Sequence, residues 1–205
     1  MKQFLEGVRY MHTNKILHRD LKAANILVSR TGRLKIADWG LARPENAKLQ
    51  RYTPTVFTLW FRPPEILMGI LKYESSADMW SVGCISGELL NRRPLFPGKS
   101  YVHQVQVILD VLGTPSPLGE AAPGDTTNGK ALGFKPRNDA EAFLKRQRHR
   151  NGVSWSQLLP AASEKAQAFL GSLLTWDPKR RLTVEEALAH PWLENAPPLP
   201  CNSCS

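Results

Sequence analysis

Asp20, Lys22, Asn25 and Asp38 are the residues of this chain whose types and spacing suit chemistry. Three of them lie in His18-Arg19-Asp20-Leu21-Lys22-Ala23-Ala24-Asn25, and Asp38-Trp39-Gly40 begins thirteen residues after Asn25. Moving a phosphoryl group from ATP to a hydroxyl needs a carboxylate to take the proton and oxygen ligands to hold magnesium against the phosphates. Asp20 suits the first role, and Asn25 and Asp38 suit the second. Lys22 adds positive charge where the transferred group becomes most anionic. Any one of these residues alone is an ordinary surface polar group; the set, at this spacing, points to phosphoryl transfer.

The surrounding pattern supplies elements to position them. Phe4, Leu5, Val8 and Met11 recur at helical spacing, which predicts an amphipathic helix over residues 2 to 12, entering the His-Arg-Asp loop. Ile26, Val28, Leu34 and Ile36 then alternate around Arg30-Thr31-Gly32, predicting a β-hairpin with Asn25 at one base and Asp38 at the other. Ser75 to Leu90 carries Trp80, Val82, Ile85, Leu89 and Leu90 around most of a helix circumference, as expected of a helix buried centrally. A further helix is predicted from Ser100 to Leu112, ended by Gly113-Thr114-Pro115. Residues 114 to 138, rich in Gly, Pro, Thr and Asn, read as an extended surface insertion. Helices are predicted again over 139 to 147, over 163 to 175 with Ser163 as cap, and over 183 to 189, where Thr183-Val184-Glu185-Glu186 has a capping-box shape. From Pro197 onward a disordered tail is expected.

Composition bounds the class. At 205 residues, 42% hydrophobic and 22% charged, the chain is expected to form one globular domain with a substantial core. Neither an apolar run of membrane-spanning length nor a signal-peptide pattern is present, so no membrane partner and a cytoplasmic or nuclear location are expected. Three cysteines, Cys84 in an apolar stretch and Cys201 and Cys204 near the end, do not make a disulfide framework. The last two have Cys-x-x-Cys spacing without a second ligand pair, which argues against a metal site. The net charge of +9 raises nucleic acid as a partner, but no stripe of interleaved basic and aromatic residues accompanies it, so nucleic acid is not the partner expected. The one basic run, Lys145-Arg146-Gln147-Arg148-His149-Arg150, reads as a solvated face or as a localisation or docking patch.

With the later Pro63-Pro64-Glu65, the motifs follow the order catalytic loop, Asp-x-Gly, activation segment, Pro-Glu, and the chain resembles the C-terminal lobe of a eukaryotic protein kinase. The segment Tyr52-Thr53-Pro54-Thr55-Val56-Phe57-Thr58-Leu59-Trp60-Phe61-Arg62-Pro63-Pro64-Glu65 is similar to that of cyclin-dependent kinases. Asp78-Met79-Trp80-Ser81-Val82-Gly83-Cys84, Arg93-Pro94-Leu95-Phe96-Pro97-Gly98-Lys99 and Leu182-Thr183-Val184-Glu185-Glu186-Ala187-Leu188-Ala189-His190-Pro191 look like mitogen-activated protein kinases, of the same proline-directed group. The resemblance implies a mainly α fold with a small β-hairpin at the catalytic loop, over residues 1 to 195, with a group-type insertion around 99 to 153 and a tail over 196 to 205. No Gly-rich loop, β3 lysine or αC glutamate precedes the catalytic loop, so the N lobe is expected to be absent and this chain alone to transfer phosphate poorly.

The resemblance also implies roles. Asp20 is the catalytic base, Lys22 the γ-phosphate contact and Thr58 a hydroxyl bridging them; Lys22, Asn25, Leu27 and Asp38 hold ATP, and Asn25 and Asp38 hold magnesium. Lys22 and Thr58 resemble serine/threonine rather than tyrosine kinases. Arg62 is the arginine that occupies the backbone carbonyl of Phe57, so that a substrate residue following the target finds no acceptor for its N–H and proline is favoured. Thr53, with Thr55 as runner-up, is the activating phosphorylation site, its phosphate collected by Arg19 and Arg43. Glu65 pairs with Arg181, Asp78 supports the catalytic-loop backbone, and Trp60 and Trp80 are core. Partners implied are proteins with Ser/Thr-Pro sites and a cyclin-like activator or an upstream kinase. The rival expectation is a catalytically silent lobe that binds substrates or partners. Two departures stand out: Trp39 replaces the usual Phe of Asp-Phe-Gly, as in casein kinase two, and Thr55 stands where mitogen-activated kinases carry tyrosine.

Overall fold

The computed structural model describes residues 1–45, 59–115 and 132–195. Helices dominate. Helix α1 (Lys2–Thr13) buries Phe4, Leu5, Val8 and Met11, the stripe its periodicity predicts. It leads into β1 (Ile16–Leu17), the catalytic-loop motif, and the antiparallel hairpin β2 (Ile26–Val28) and β3 (Leu34–Ile36), in the register Ile26↔Ile36 and Val28↔Leu34. A second two-stranded sheet pairs β1 with β4 (Arg43–Pro44), placing Leu17 opposite Arg43. Strands this short carry no alternation, so the pairing has no sequence signal.

Helix α3 (Ser75–Asn91) is the centre of the core, with residues 77 to 87 all buried. A helix apolar on every side must be enclosed on every side. Trp80 is fully buried and stacks on Phe96, centroids 5.5 Å apart. Gly87 lets Leu95 close on the helix, since an added Cβ there would overlap Leu95 Cδ1. Leu89 departs from the expected core set: it is 65% exposed, whereas Leu90 in the same last turn packs against the core. Helices α2 (Pro64–Leu67), α4 (Tyr101–Leu112), α5 (Asn138–Lys145), α6 (Trp155–Leu158), α7 (Glu164–Leu173) and α8 (Val184–Leu188) share one apolar cluster with α3, in which α7 packs on α3, α6 on α7, α2 on α4 and α8 on α1. Burying a large apolar side chain is worth about 1.5–3 kcal/mol, and Phe169, Leu170, Leu173 and Trp176 join the same cluster as Phe4 and Ile108.

Local chemistry sets the helix ends. Ser100 accepts from His103 N at the start of α4, and Gly113, at φ 82°, ends it in a conformation that costs glycine little. Ser163 caps α7, and Thr183 and Glu186 form the expected capping box of α8. Helix α7 stops at Leu173, two residues before the expected end, because Leu174 leaves helical geometry. Helix α6 was not expected, although Ser154 and Gln157 form a capping box there too. The expected surface insertion is in part anchored: Leu132 and Pro136 are buried and Phe134 packs against the core. Among the described residues no helix is long and apolar enough to cross a membrane. The expected tail, with Cys201 and Cys204, lies outside the described residues.

Candidate active site

The catalytic loop hangs from one buried carboxylate. Asp78, in the first turn of α3, accepts from His18 N and Arg19 N at 3.0 Å each and from the Tyr73 hydroxyl at 3.2 Å. His12 Nε2 of α1 lies 3.1 Å from the same carboxylate. A buried carboxylate is tolerable only when its lone pairs are filled, and here four donors fill them. Arg19 adopts φ 73°, in the left-handed region, which costs a non-glycine residue about 1–3 kcal/mol and persists because these bonds impose it. The Asp20 backbone N donates to His18 Nδ1 at 3.4 Å, and His18 Nε2 lies 3.0 Å from the carbonyl of Ala37. Only the tautomer with its proton on Nε2 satisfies both bonds.

Within the loop, Lys22 Nζ and Asn25 Nδ2 both donate to Oδ2 of Asp20, at 2.7 and 3.3 Å, and Asn25 Nδ2 also reaches the Asp20 carbonyl at 2.9 Å. These bonds use the amide nitrogen of Asn25 and leave its amide oxygen as the group able to ligate. The hairpin closes the distance to the second ligand, because Ala37 N donates to the Asn25 carbonyl at 2.8 Å and Asp38 follows immediately. Asp38 is exposed, at φ 62°. Among the described residues no cluster of three or more His, Cys, Asp or Glu side chains forms a metal cage. Two hard oxygen donors, with the remaining positions open to water and phosphate, form the donor set that magnesium prefers, so the residues present fit that ion.

Trp39 donates its indole N–H to the carbonyl of Ile36 at 3.1 Å and lies against the His18 ring, centroids 5.3 Å apart. The Trp-for-Phe substitution therefore adds a bond that phenylalanine cannot make. Leu27, on β2 two residues after Asn25, is 56% exposed.

Other expected residues fall as follows. Glu65 and Arg181 form a two-pronged buried pair, 2.7 Å on each arm, and Arg181 also donates to the carbonyls of Ser76 and Thr175 and lies over the Trp80 ring. Arg62 borders the same crevice as Asp20, together with Arg19, Tyr73 and Ser81. Arg43 donates to the carbonyls of Gly40 and Ala42, and the guanidinium of Arg19 lies over the Tyr73 ring. The β1–β4 pairing brings the backbone of Arg43 alongside the residues leading to Arg19. Thr53, Thr55, Phe57 and Thr58 lie outside the described residues. Trp60 corrects the expectation of core: it is 37% exposed and is held by its indole N–H donating to the carbonyl of Gly98 at 3.0 Å. In the basic run, Lys145 pairs with Glu141 and Arg150 with Asp110, which suits the solvated-face reading. Sequence reasoning missed His12 and Tyr73 as supports of Asp78, and nothing in their spacing marks them.

The Asp20 carboxylate flanked by the Lys22 ammonium, the hairpin that brings Asp38 to Asn25 and the loop hung from buried Asp78 are the geometry of this candidate site, and the chain belongs to the protein kinase family. Residues 1–193 match the family described as Protein kinase domain. Beyond the family, the likeness is to cyclin-dependent kinases. The chain is 45% identical over 198 residues to Cyclin-dependent kinase G1 of Arabidopsis thaliana, spanning 96% of this chain and 31% of that protein. It is 43% identical over 202 residues to Cyclin-dependent kinase G-1 of Oryza sativa subsp. indica, spanning 96% of this chain and 28% of that protein. The chain thus covers less than a third of the length of these relatives.

Proposed function

We propose that the chain is the C-terminal lobe of a serine/threonine kinase of the cyclin-dependent kind, transferring the γ-phosphate of Mg-ATP to Ser-Pro and Thr-Pro sites of protein substrates. The observation that carries this reading is the Asp20–Lys22–Asn25 cluster suspended from Asp78, with Asp38 brought to Asn25 by the hairpin. Mg-ATP, when bound, supplies the phosphoryl group and balances its charge. Asn25 and Asp38 hold it at the hairpin base, and Leu27 offers the nucleotide an apolar surface. Asp20 takes the proton of the substrate hydroxyl, and Lys22, already within reach of Asp20, steadies the anionic γ-phosphate. The exposure of Leu27 supports the lobe reading, since a nucleotide and a covering lobe would bury it.

In this reading a cyclin-like activator or an upstream kinase acts on the segment holding Thr53, and a phosphate there draws on Arg19 and Arg43. Thr53→Ala should lower activity strongly while the fold survives, and an unaltered rate would reject that switch. The test of the main reading is phosphate transfer from Mg-ATP to a Ser-Pro peptide by the longest gene product that carries this chain. Transfer lost on Asp38→Asn and on Asp20→Asn is expected. A folded product that binds such peptides but transfers nothing would reject the reading in favour of a silent binding lobe.

A further inference from the structure

The basic run from Lys145 to Arg150 borders an apolar cavity that catalysis leaves unused. This cavity, of about 290 Å³, lies where the ends of α4 and α5 meet, lined by Pro115, Leu132, Pro136 and Leu144 and also by Lys145 and His149. Pro115, Leu132 and Pro136 are buried whereas Lys145 and His149 are exposed, so an apolar floor carries a polar rim. The run is tied down. Thr114 N donates to the Arg150 carbonyl at 2.9 Å, Arg150 N donates to Thr114 Oγ1 at 3.0 Å, and Val153 N donates to the Val111 carbonyl at 2.8 Å. Gly113 and Gly152, at φ 82° and 79°, let the two segments touch, since a Cβ on either would overlap the backbone of the other. Ion pairs account for only two of the cations: Lys145 meets Glu141 at 2.7 Å and Arg150 meets Asp110 at 2.9 Å. Arg146 and Arg148 are exposed and have no acidic partner among the described residues. From Lys135 to Arg150 the chain carries six Lys or Arg against two carboxylates, Asp139 and Glu141, so a surplus of positive charge surrounds the cavity.

We propose that this cavity docks an acidic peptide segment of a partner protein, an aliphatic side chain filling the floor while flanking carboxylates meet Lys145, Arg146 and Arg148. Charge complementarity selects the occupant, because a surplus of cations around an apolar opening favours a ligand that is apolar at one point and anionic on either side. A solvated basic face needs no apolar cavity among its cations, and a cavity left by core packing needs no unpaired arginines at its edge. The volume lies at the lower end of the range for ligand pockets, which suits one or two side chains rather than an acyl chain laid at length. Among the described residues no Phe, Tyr or Trp lines it, so it lacks the stacking platform on which single-stranded nucleic acid rests. Glu141 also lines the cavity, but Lys145 meets its charge. None of the lining residues belongs to the catalytic loop or the hairpin, so a partner held there leaves Asp20 and Asn25 open.

Fluorescence anisotropy of the 205-residue chain with a labelled peptide, a Leu-Leu pair flanked on both sides by glutamates, tests this. Binding is expected with a Kd of about 10–100 μM, as suits one small pocket. Replacing Leu-Leu with Ala-Ala should weaken it about tenfold or more, the worth of one buried leucine. The double variant Arg146→Glu, Arg148→Glu should weaken it to a similar extent and leave the urea midpoint unchanged, since both side chains are exposed. In the methyl-labelled chain the peptide should shift the resonances of Leu132 and Leu144 and leave Leu27, next to the catalytic loop, unmoved. Equal binding of the Ala-Ala peptide, equal binding to the double variant, or shifts confined to Leu27 would each overturn the inference, and so would the absence of binding at about 1 mM peptide. Tighter binding of an RNA duplex or of phosphatidylserine vesicles, lost in the same double variant, would assign the basic run to that partner and overturn it as well.

Discussion

Asp78→Asn replaces the carboxylate on which the catalytic loop hangs with an amide of nearly the same volume. The carboxylate serves two donors on each oxygen: His18 N and His12 on Oδ2, Arg19 N and Tyr73 on Oδ1. Asparagine offers one oxygen, so in either orientation its NH2 faces the backbone N–H of His18 or of Arg19. One buried donor left without an acceptor costs about 1–3 kcal/mol, and losing the charge on the remaining bonds costs about 1 kcal/mol more. Against this, Arg19 no longer has to hold φ 73°, and its relaxation returns about 1–2 kcal/mol. The expected net loss is about 2 kcal/mol, roughly a 30-fold shift in the folded-to-unfolded ratio. Urea denaturation of the 205-residue chain measures it, and hydrogen exchange should show the amide of Arg19 or His18 opening ahead of the core. A loss below about 0.5 kcal/mol with both amides still protected would refute the claim that Asp78 dictates the loop conformation.

Glu65→Ala leaves the fully buried guanidinium of Arg181 without its counter-charge and should cost about 3–5 kcal/mol by denaturation, whereas replacing both residues with methionine should cost much less. Trp39→Phe removes the indole bond to Ile36 and should speed amide exchange at residues 38–40, with a stability loss of about 0.5–1 kcal/mol; unchanged exchange would show that the bond does not hold this segment. His190 is held below its ordinary 6.5 by burial first and by Lys165 second, so the unfolded chain takes up this proton at higher pH than the folded one. That contribution is complete above pH 6.5 and is lost as pH falls toward the lowered value, and His190→Asn, which can still cap the following turn, should flatten that part of the stability profile measured from pH 7 to 5.

Much of this molecule was legible because its signals are local. Helix α1 follows from Phe4, Leu5, Val8 and Met11 recurring at helical spacing, and the hairpin from alternation around Gly32. The ends of α4, α7 and α8 follow from Ser100, Ser163 and Thr183, each of which meets its partner within one turn. The candidate set was nameable for the same reason: Asp20, Lys22 and Asn25 lie within one loop, and a single hairpin separates them from Asp38. Motif likeness added the pair of Glu65 with Arg181, which no local rule would join across 116 residues. Only the tertiary structure decided what depends on neighbours distant in the chain: that Leu89 faces out, that Leu132 is drawn into the core, and that Leu17 pairs with Arg43. It alone showed that His12, 66 residues away, shares Asp78 with the catalytic loop, and that Tyr101, 39 residues on, sits beneath Arg62. Periodicity and capping report the few residues a segment touches along itself, whereas the worth of a hydroxyl or a carboxylate depends on what the packed chain sets within three ångströms of it.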